Sequence, residues 1–405
     1  MKTYVPSQKI REKYADVMVN YALNGGKGIK KGDVVMLQGN EAAKPLFTEI
    51  YRMIIKKGGH VIPFYSISEP EYSLEKIYYQ ESSNHQDAFF PEKFYKGLIE
   101  TIDHRLYIHA EEDSLLLKNS DPGKIMKRGE SMKPWKQWCS DKENQGKYSW
   151  TICNYGTQGM ADAAGLSLKE YWQQIIKACY LKDKDPVATW RQLQKNMHKI
   201  AQGLDDLNIR KIHMFGLDMD IHILLPEKAK WLSGSGCNIP SFEIFTSPDW
   251  RGTHGWIRFN QPLYRYGNKI EGIYLEFKKG KVVKVRASKN QKLLEEMIAT
   301  KNANKLGEFS LTDSRYSKIT KPMADTLYDE NMGGKYGNTH VALGSSFRDA
   351  YEGDSSTVTE QQWKEMGYNF SSVHTDIIST TDRTVVATLE NGDKKVIYKK
   401  GKFVI

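Results

Sequence analysis

Residues 34–64 read VVMLQGNEAAKPLFTEIYRMIIKKGGHVIPF, and this stretch decides the fold class. Val34-Val35-Met36-Leu37 is a short continuous apolar run, the pattern of a strand buried on both faces. Leu46, Phe47, Ile50, Met53 and Ile54 then recur at helical spacing, and Gly58-Gly59 closes that run. Val61-Ile62-Pro63-Phe64 returns to the strand pattern. Pro63 has no N–H to give a ladder, so it marks a sheet edge or a strand end. Strand, helix and strand joined by short links predict a mostly parallel sheet covered by helices.

The same alternation extends on both sides. Upstream, Ile10, Tyr14, Val17, Met18 and Tyr21 mark an amphipathic helix. Downstream, Leu106-Tyr107-Ile108-His109 reads as a further strand. Ser167 and Glu170 form a capping-box pattern at the start of a helix, and another helix lies between Pro186 and Gly203. Lys211–Phe215 and Ile221–Leu225 are strand candidates. From about Trp231 the pattern changes. Ile273, Leu275 and Phe277 alternate, turn at Gly280, and alternate again at Val283 and Val285. Asn391-Gly392 turns a second hairpin between Val385-Val386-Ala387 and Val396-Ile397-Tyr398. The sequence therefore predicts an α/β N-terminal domain over residues 1–225. An α+β C-terminal domain with antiparallel strands follows over residues 226–405.

A chain of 405 residues with 40% hydrophobic and 27% charged content has ordinary globular composition. Met1 to Ile10 lacks the apolar core of a signal peptide, and no apolar run approaches the ~20 residues that span a bilayer. The expected location is cytoplasmic, with no membrane partner. Cys139, Cys153, Cys179 and Cys237 are scattered without metal-binding spacing, so reduced thiols in or near cores are expected. The formal net charge is +10, but the basic residues are spread among 49 acids. Runs such as Lys278-Lys279-Gly280-Lys281 read as hairpin tips, and nucleic acid is not an expected partner.

Metal-ligating residue types concentrate in the second half. Glu243 sits among Phe242, Ile244 and Phe245, where a carboxylate is costly unless a cation or a donor meets it. Glu308 follows Leu306-Gly307, and the glycine permits close approach. Glu330 lies in Tyr328-Asp329-Glu330-Asn331. His340 precedes the apolar Val341-Ala342-Leu343-Gly344. His374 and Asp376 stand two apart in a strand pattern, so both point to one face. Three glutamates, one aspartate and two histidines exceed the needs of one tetrahedral ion and suit two ions sharing a carboxylate. Such a pair activates water for hydrolysis of an amide without a nucleophilic serine or cysteine. His213 and His222 read as structural, and His254, shortly after the Glu243 motif, as a contact of the ligands or the substrate.

These residues carry a resemblance to the thermophilic aminopeptidases, metallopeptidase family M29. The resembling pieces are Asn238-Ile239-Pro240 with Glu243-Ile244-Phe245-Thr246-Ser247-Pro248, Leu306-Gly307-Glu308, Asp329-Glu330-Asn331, His340-Val341-Ala342-Leu343-Gly344, and Asn369-Phe370-Ser371-Ser372-Val373-His374-Thr375-Asp376. The resemblance implies that Glu243, Glu308, Glu330, His340, His374 and Asp376 bind two divalent ions, with zinc, cobalt, manganese or magnesium as candidates. Glu308 would bridge them or act on the water. It further implies a homodimer that removes N-terminal residues from short peptides with a free N-terminus. Two departures stand out. The family places a tyrosine, an oxyanion donor, where this chain has Phe347, and Tyr351 nearby is the candidate replacement. The segment between Glu330 and His340 is long and holds three glycines, which bear on the Glu330 ligand and bring Tyr336 into consideration. A mononuclear iron ring-cleaving dioxygenase of related fold, and a metal-binding homologue with weak or lost peptidase activity, are the alternative readings.

Overall fold

The apolar runs at 34–37 and 61–64 become β1 (Val34–Asn40) and β2 (His60–Ser66), paired in parallel, in a computed structural model that describes residues 4–113, 115–234, 236–265 and 268–405. The helix between them, Lys44–Lys57, buries Leu46, Ile50 and Ile54. It stops at Gly58, whose φ of 84° is the left-handed cap that glycine takes without strain. β3 (His104–His109) and β4 (Ser149–Asn154) extend the sheet, again in parallel. β2 is the edge strand, which is where Pro63 is tolerated. The Gln8–Asn20 helix is capped by Ser7 and buries Tyr14, Val17 and Met18, the face its spacing predicts. The capping box of Ser167 and Glu170 opens the Leu168–Ala178 helix. Cys153 and Cys179 are buried.

The remaining strands, in chain order, begin with β5 (Ile209–Gly216), β6 (Met219–Leu224), β7 (Leu232–Ser233), β8 (Asn238–Ile239), β9 (Glu243–Thr246) and β10 (Asp249–Arg258). Next come β11 (Leu263–Arg265), β12 (Asn268–Ile270), β13 (Tyr274–Lys278), β14 (Lys281–Arg286) and β15 (Leu306–Thr312). β16 (Asn338–Gly344), β17 (His374–Ser379), β18 (Arg383–Leu389), β19 (Lys394–Lys399) and β20 (Lys402–Phe403) complete the chain. Both expected hairpins are present, β13 with β14 and β18 with β19.

Two compact units result. One holds the chain through Arg191 and the short segment ending at Pro240; the other holds Gln192–Gly234, Ser241–Arg265 and Lys269–Ile405. A linear break near residue 226 does not describe this division. β5 pairs with β6 and β18, and β6 pairs with β10, so their ladders tie residues 209–224 to the second unit. Conversely, Asn238 and Ile239 in β8 pair with Ile152 and Cys153 of β4 and close the parallel sheet, in the order β2-β1-β3-β4-β8. No helix among the described residues is long and apolar enough to cross a membrane.

The second unit has an eight-stranded sheet, β14-β13-β10-β6-β5-β18-β19-β20, and a five-stranded one, β17-β16-β15-β9-β7. Every pairing in the five-stranded sheet is antiparallel, and β15 and β16 are buried along their whole length. Its register fixes the positions of five of the six expected ligands. Thr312 lies opposite Glu243, and Ser310 opposite His340. Glu308 lies opposite Ala342, which lies opposite Asp376; Gly344 lies opposite His374. Directly opposed residues share a face, as do residues two apart along a strand. Glu243, Glu308, His340, His374 and Asp376 therefore project from one face of this sheet.

The ladder between β15 and β16 shifts register between Leu306 and Glu308, and Gly307 occupies the shift. A Cβ there would stand 2.3 Å from Ser345 O and 2.6 Å from Gly344 O. Gly307→Ala is therefore expected to force the strands apart and lower stability by about 1–3 kcal/mol, the usual cost of overpacking. Denaturant unfolding of the variant against the parent checks this.

Candidate metal centre

Glu308 stands at the middle of the cluster. Its Oε1 lies 3.2 Å from His340 Nε2 and its Oε2 lies 3.2 Å from His374 Nε2. His340 Nε2 is also 3.5 Å from Glu243 Oε2 and 3.9 Å from Asp376 Oδ1. His374 Nε2 is 3.5 Å from the same Asp376 oxygen. Donors on a tetrahedral ion with ~2.1 Å bonds stand about 3.4 Å apart, and the observed spacings bracket that edge. Two donor trios result, Glu243–Glu308–His340 and Glu308–His374–Asp376, each with its ligand atoms within 4.8 Å of one another. Glu308 belongs to both. The cluster is thus a site for two divalent cations with one shared carboxylate.

The surrounding bonds aim the ligands. His374 Nδ1 donates to Ser345 O at 2.8 Å, which turns Nε2 toward the acids. Ser241 Oγ donates to Glu243 Oε1 at 3.1 Å. Asp376 Oδ1 is buried and accepts no hydrogen bond, as suits an oxygen reserved for a cation. The residues present therefore fit the metal pair on their own chemistry.

Electrostatics point the same way. Burial raises the Glu243 carboxyl to about 7, with Glu308 and Asp376 adding to the rise and His340 opposing it. Burial pushes Glu330 well above its usual range, reinforced by Glu243, Asp376 and Glu308. Burial works against His340, yet its bond to Glu308 and the charges of Asp376 and Glu243 lift it to about 9. Burial likewise opposes ionisation of Asp376, but His374 beside it holds it down at about 2. Four acids crowded with two imidazoles cannot all ionise where water is scarce, so without metal the site holds protons on Glu243, Glu330 and His340. Divalent cations would take the place of those protons and let the acids ionise.

Glu330 stands apart from the five strand ligands. It caps the short Thr326–Asp329 helix and belongs to neither donor trio, although the charges of Glu243, Asp376 and Glu308 act on it. A network that the sequence does not announce holds it. Asn331 Oδ1 accepts from Phe242 N–H at 2.5 Å, while its Nδ2 donates to Leu327 O at 3.0 Å and Glu330 Oε1 at 3.4 Å. Asn338 Nδ2 donates to Glu330 O at 2.8 Å and Met332 O at 2.7 Å. Arg265 of β11 adds positive charge beside Asp376, and nothing in its sequence context signals this.

Phe347 packs edge-on against His374, with ring centroids 4.8 Å apart, and against Phe245 at 5.5 Å. Tyr351 makes different contacts. Its ring meets Trp363 at 5.3 Å and its backbone bridges to Ala229. Tyr336 lines a cavity of about 620 Å³ with Phe215, Leu217 and Thr380–Thr384, a separate set of residues from the ligands. His254 is on the eight-stranded sheet, stacked on His222, rather than beside the Glu243 carboxylate.

Asn331→Ala removes the acceptor of the Phe242 N–H and the donors that hold the Glu330 segment. The loss is expected to be about 1–3 kcal/mol of stability, the range for a broken buried hydrogen-bond pair, and thermal unfolding measures it.

Comparison with known proteins agrees with this chemistry. The chain is 30% identical to aminopeptidase PepS of Streptococcus thermophilus, over 58% of this chain and 58% of that one. It is 26% identical to aminopeptidase AmpS of Bacillus subtilis (strain 168), over 98% of each. Its fold is like that of wild-type AmpT from Thermus thermophilus, with a TM-score of 0.84 at 22% identity, over 98% of this chain and 100% of that one. The model of a family described as thermophilic metalloprotease (M29) matches residues 7–403. With a match that spans nearly the whole sequence, and two donor trios that share Glu308, the chain belongs to the M29 family of metalloproteases.

Proposed function

We propose that the protein is a metal-dependent aminopeptidase that hydrolyses the first peptide bond of short peptides with a free N-terminus. The observation that carries this reading is Glu308, one carboxylate common to two donor trios. Glu243, Glu308, Glu330, His340, His374 and Asp376 form the ligand set. The pair takes zinc, cobalt, manganese or magnesium; imidazole with carboxylate accommodates all four. When bound, the ions supply a water of lowered pKa and stabilise the oxyanion of the attacked amide.

The chain's own residues do the rest. Glu308, common to both donor trios, would hold the two ions together and could act on the water they supply. Ser345 fixes the tautomer of His374 through its carbonyl. The free α-amino group is the part of the substrate that this centre would recognise. Phe347 packs on His374 and Phe245 packs on Phe347, so an apolar surface borders one imidazole of the centre. Tyr351 is the proposed hydroxyl donor in place of the tyrosine that Phe347 replaces. The second compact unit is the catalytic one, and a cytoplasmic homodimer completes the reading.

The decisive experiment measures amino-acid release from a set of short peptides. Release is expected to stop with a chelator, return with divalent metal, and fail on the same peptides after N-acetylation. Equal cleavage of blocked peptides would sink the aminopeptidase assignment. One iron per chain with oxygen uptake would replace it with the dioxygenase.

A second measurement concerns Phe347. Removal of one oxyanion donor commonly costs ~10²–10³ in rate. If Tyr351 supplies that hydroxyl, Tyr351→Phe lowers kcat by a factor of that order with little change in KM, and Phe347→Tyr restores part of it.

A further inference from the structure

A second group of imidazoles lies on the eight-stranded sheet, where β5, β6 and β10 run side by side. His213 is directly opposite His222, and His222 is directly opposite His254. The three rings stack, His213 on His222 with centroids 4.0 Å apart and planes 9° from parallel, and His222 on His254 at 4.6 Å and 6°. Asp220 precedes His222 by two residues on β6 and shares its face. Its Oδ1 lies 2.8 Å from His213 Nε2 and 3.8 Å from His222 Nε2. These three side chains offer ligand atoms within 4.8 Å of one another.

We propose that His213, His222 and Asp220 form a surface site for one divalent transition cation, distinct from the carboxylate-rich centre around Glu308. Two imidazoles and one carboxylate are three protein ligands, and water completes a tetrahedron. The nitrogen majority selects zinc, nickel or copper over magnesium and calcium, which prefer oxygen. Cross-strand pairing holds the two Cβ atoms ~4.5–5.5 Å apart, close enough for both rings to reach one ion.

The stacked arrangement must change to accept it. A metal–nitrogen bond lies in the imidazole plane, and parallel rings aim their lone pairs side by side. Convergence needs rotation about χ2, a broad torsion for histidine. The side chains of His213, His222 and Asp220 are 37%, 43% and 56% exposed, so there is room for that turn. His254 backs the stack and is held by its Nδ1, which lies 3.1 Å from Gly252 O. Burial, with His213 and His254 beside it, lowers the His222 pKa and favours the neutral ring that a metal requires. Lys394 acts on His222 against a cation, a cost that salt screens at this exposed position.

The test uses the full untagged chain and zinc alone as the probe. Equilibrium dialysis against buffered zinc is expected to give one ion more per chain in the parent than in His213→Ala/His222→Ala, with peptide turnover unchanged. Asp220→Asn keeps both imidazoles and is expected to weaken that ion's binding about 10-fold or more, since loss of even an outer-shell partner costs that much. In a Glu308→Gln background the ladder ion is retained while the central ions are lost, which separates the two sites whatever the enzyme's substrate. Equal zinc content and affinity in the parent, the double variant and Asp220→Asn would overturn the proposal. The far-ultraviolet circular dichroism of each variant shows that a lost ion is not a lost fold.

Discussion

The register of β15 against β16 and of β16 against β17 is the constraint on which the centre depends. The side-chain period of a strand is two, so a slip of one residue would turn a ligand through the sheet to the opposite face. His340 would then leave Glu308, and Asp376 would leave both. Register is strongly specified where a face is buried, and β15 and β16 are buried throughout. The apolar residues that alternate with the ligands, among them Phe309, Leu311, Val341 and Leu343, are fully buried. Their packing and the chemistry therefore share one cause. The residues that fill one side of the sheet keep the acids and imidazoles on the other.

Around that face, polar bonds hold the segments that no strand restrains. Asn331 and Asn338 bind the Glu330 turn from two directions, and Asp329 accepts from Met323 N–H at 2.6 Å. On the far side, Asn369 Nδ2 donates to Gly344 O at 2.5 Å and to Asn302 O at 2.8 Å, and so secures the end of β16 opposite His374. A centre rich in like charges repels itself. Neutral amides tie its edges without adding to that charge.

Much of this was legible in the sequence because it is local. The apolar run at 34–37, the helical spacing at 46–54 and the glycine stop at 58–59 each follow from nearest neighbours, and each became the element expected. The Asn391-Gly392 hairpin did so for the same reason. The His-X-Asp spacing in β17 placed both side chains on one face without knowledge of the partner strand. What depended on distant pairing was not readable. Nothing in Asn238-Ile239 says that this pair joins β4 when Glu243, four residues later in the chain, joins β15. Nothing near residue 226 says that β5 and β6 pair with β10 and β18. Arg265 and Asn331 are ordinary polar residues until the fold brings them to the acids. His254 lies close to Glu243 in the chain, but the rings it shares a face with come from β5 and β6.

Three residues between the ligands on the working face, Ser310, Ala342 and Gly344, have small side chains, while Phe245 and Thr312 share the same face. At Gly344 a Cβ would lie 2.0 Å from Val373 O, so even a methyl group is excluded there. Short side chains at these positions keep the longer acids and imidazoles from being crowded by their own strands. The sheet thus divides its labour between residues that reach for a cation and residues that stay out of the way.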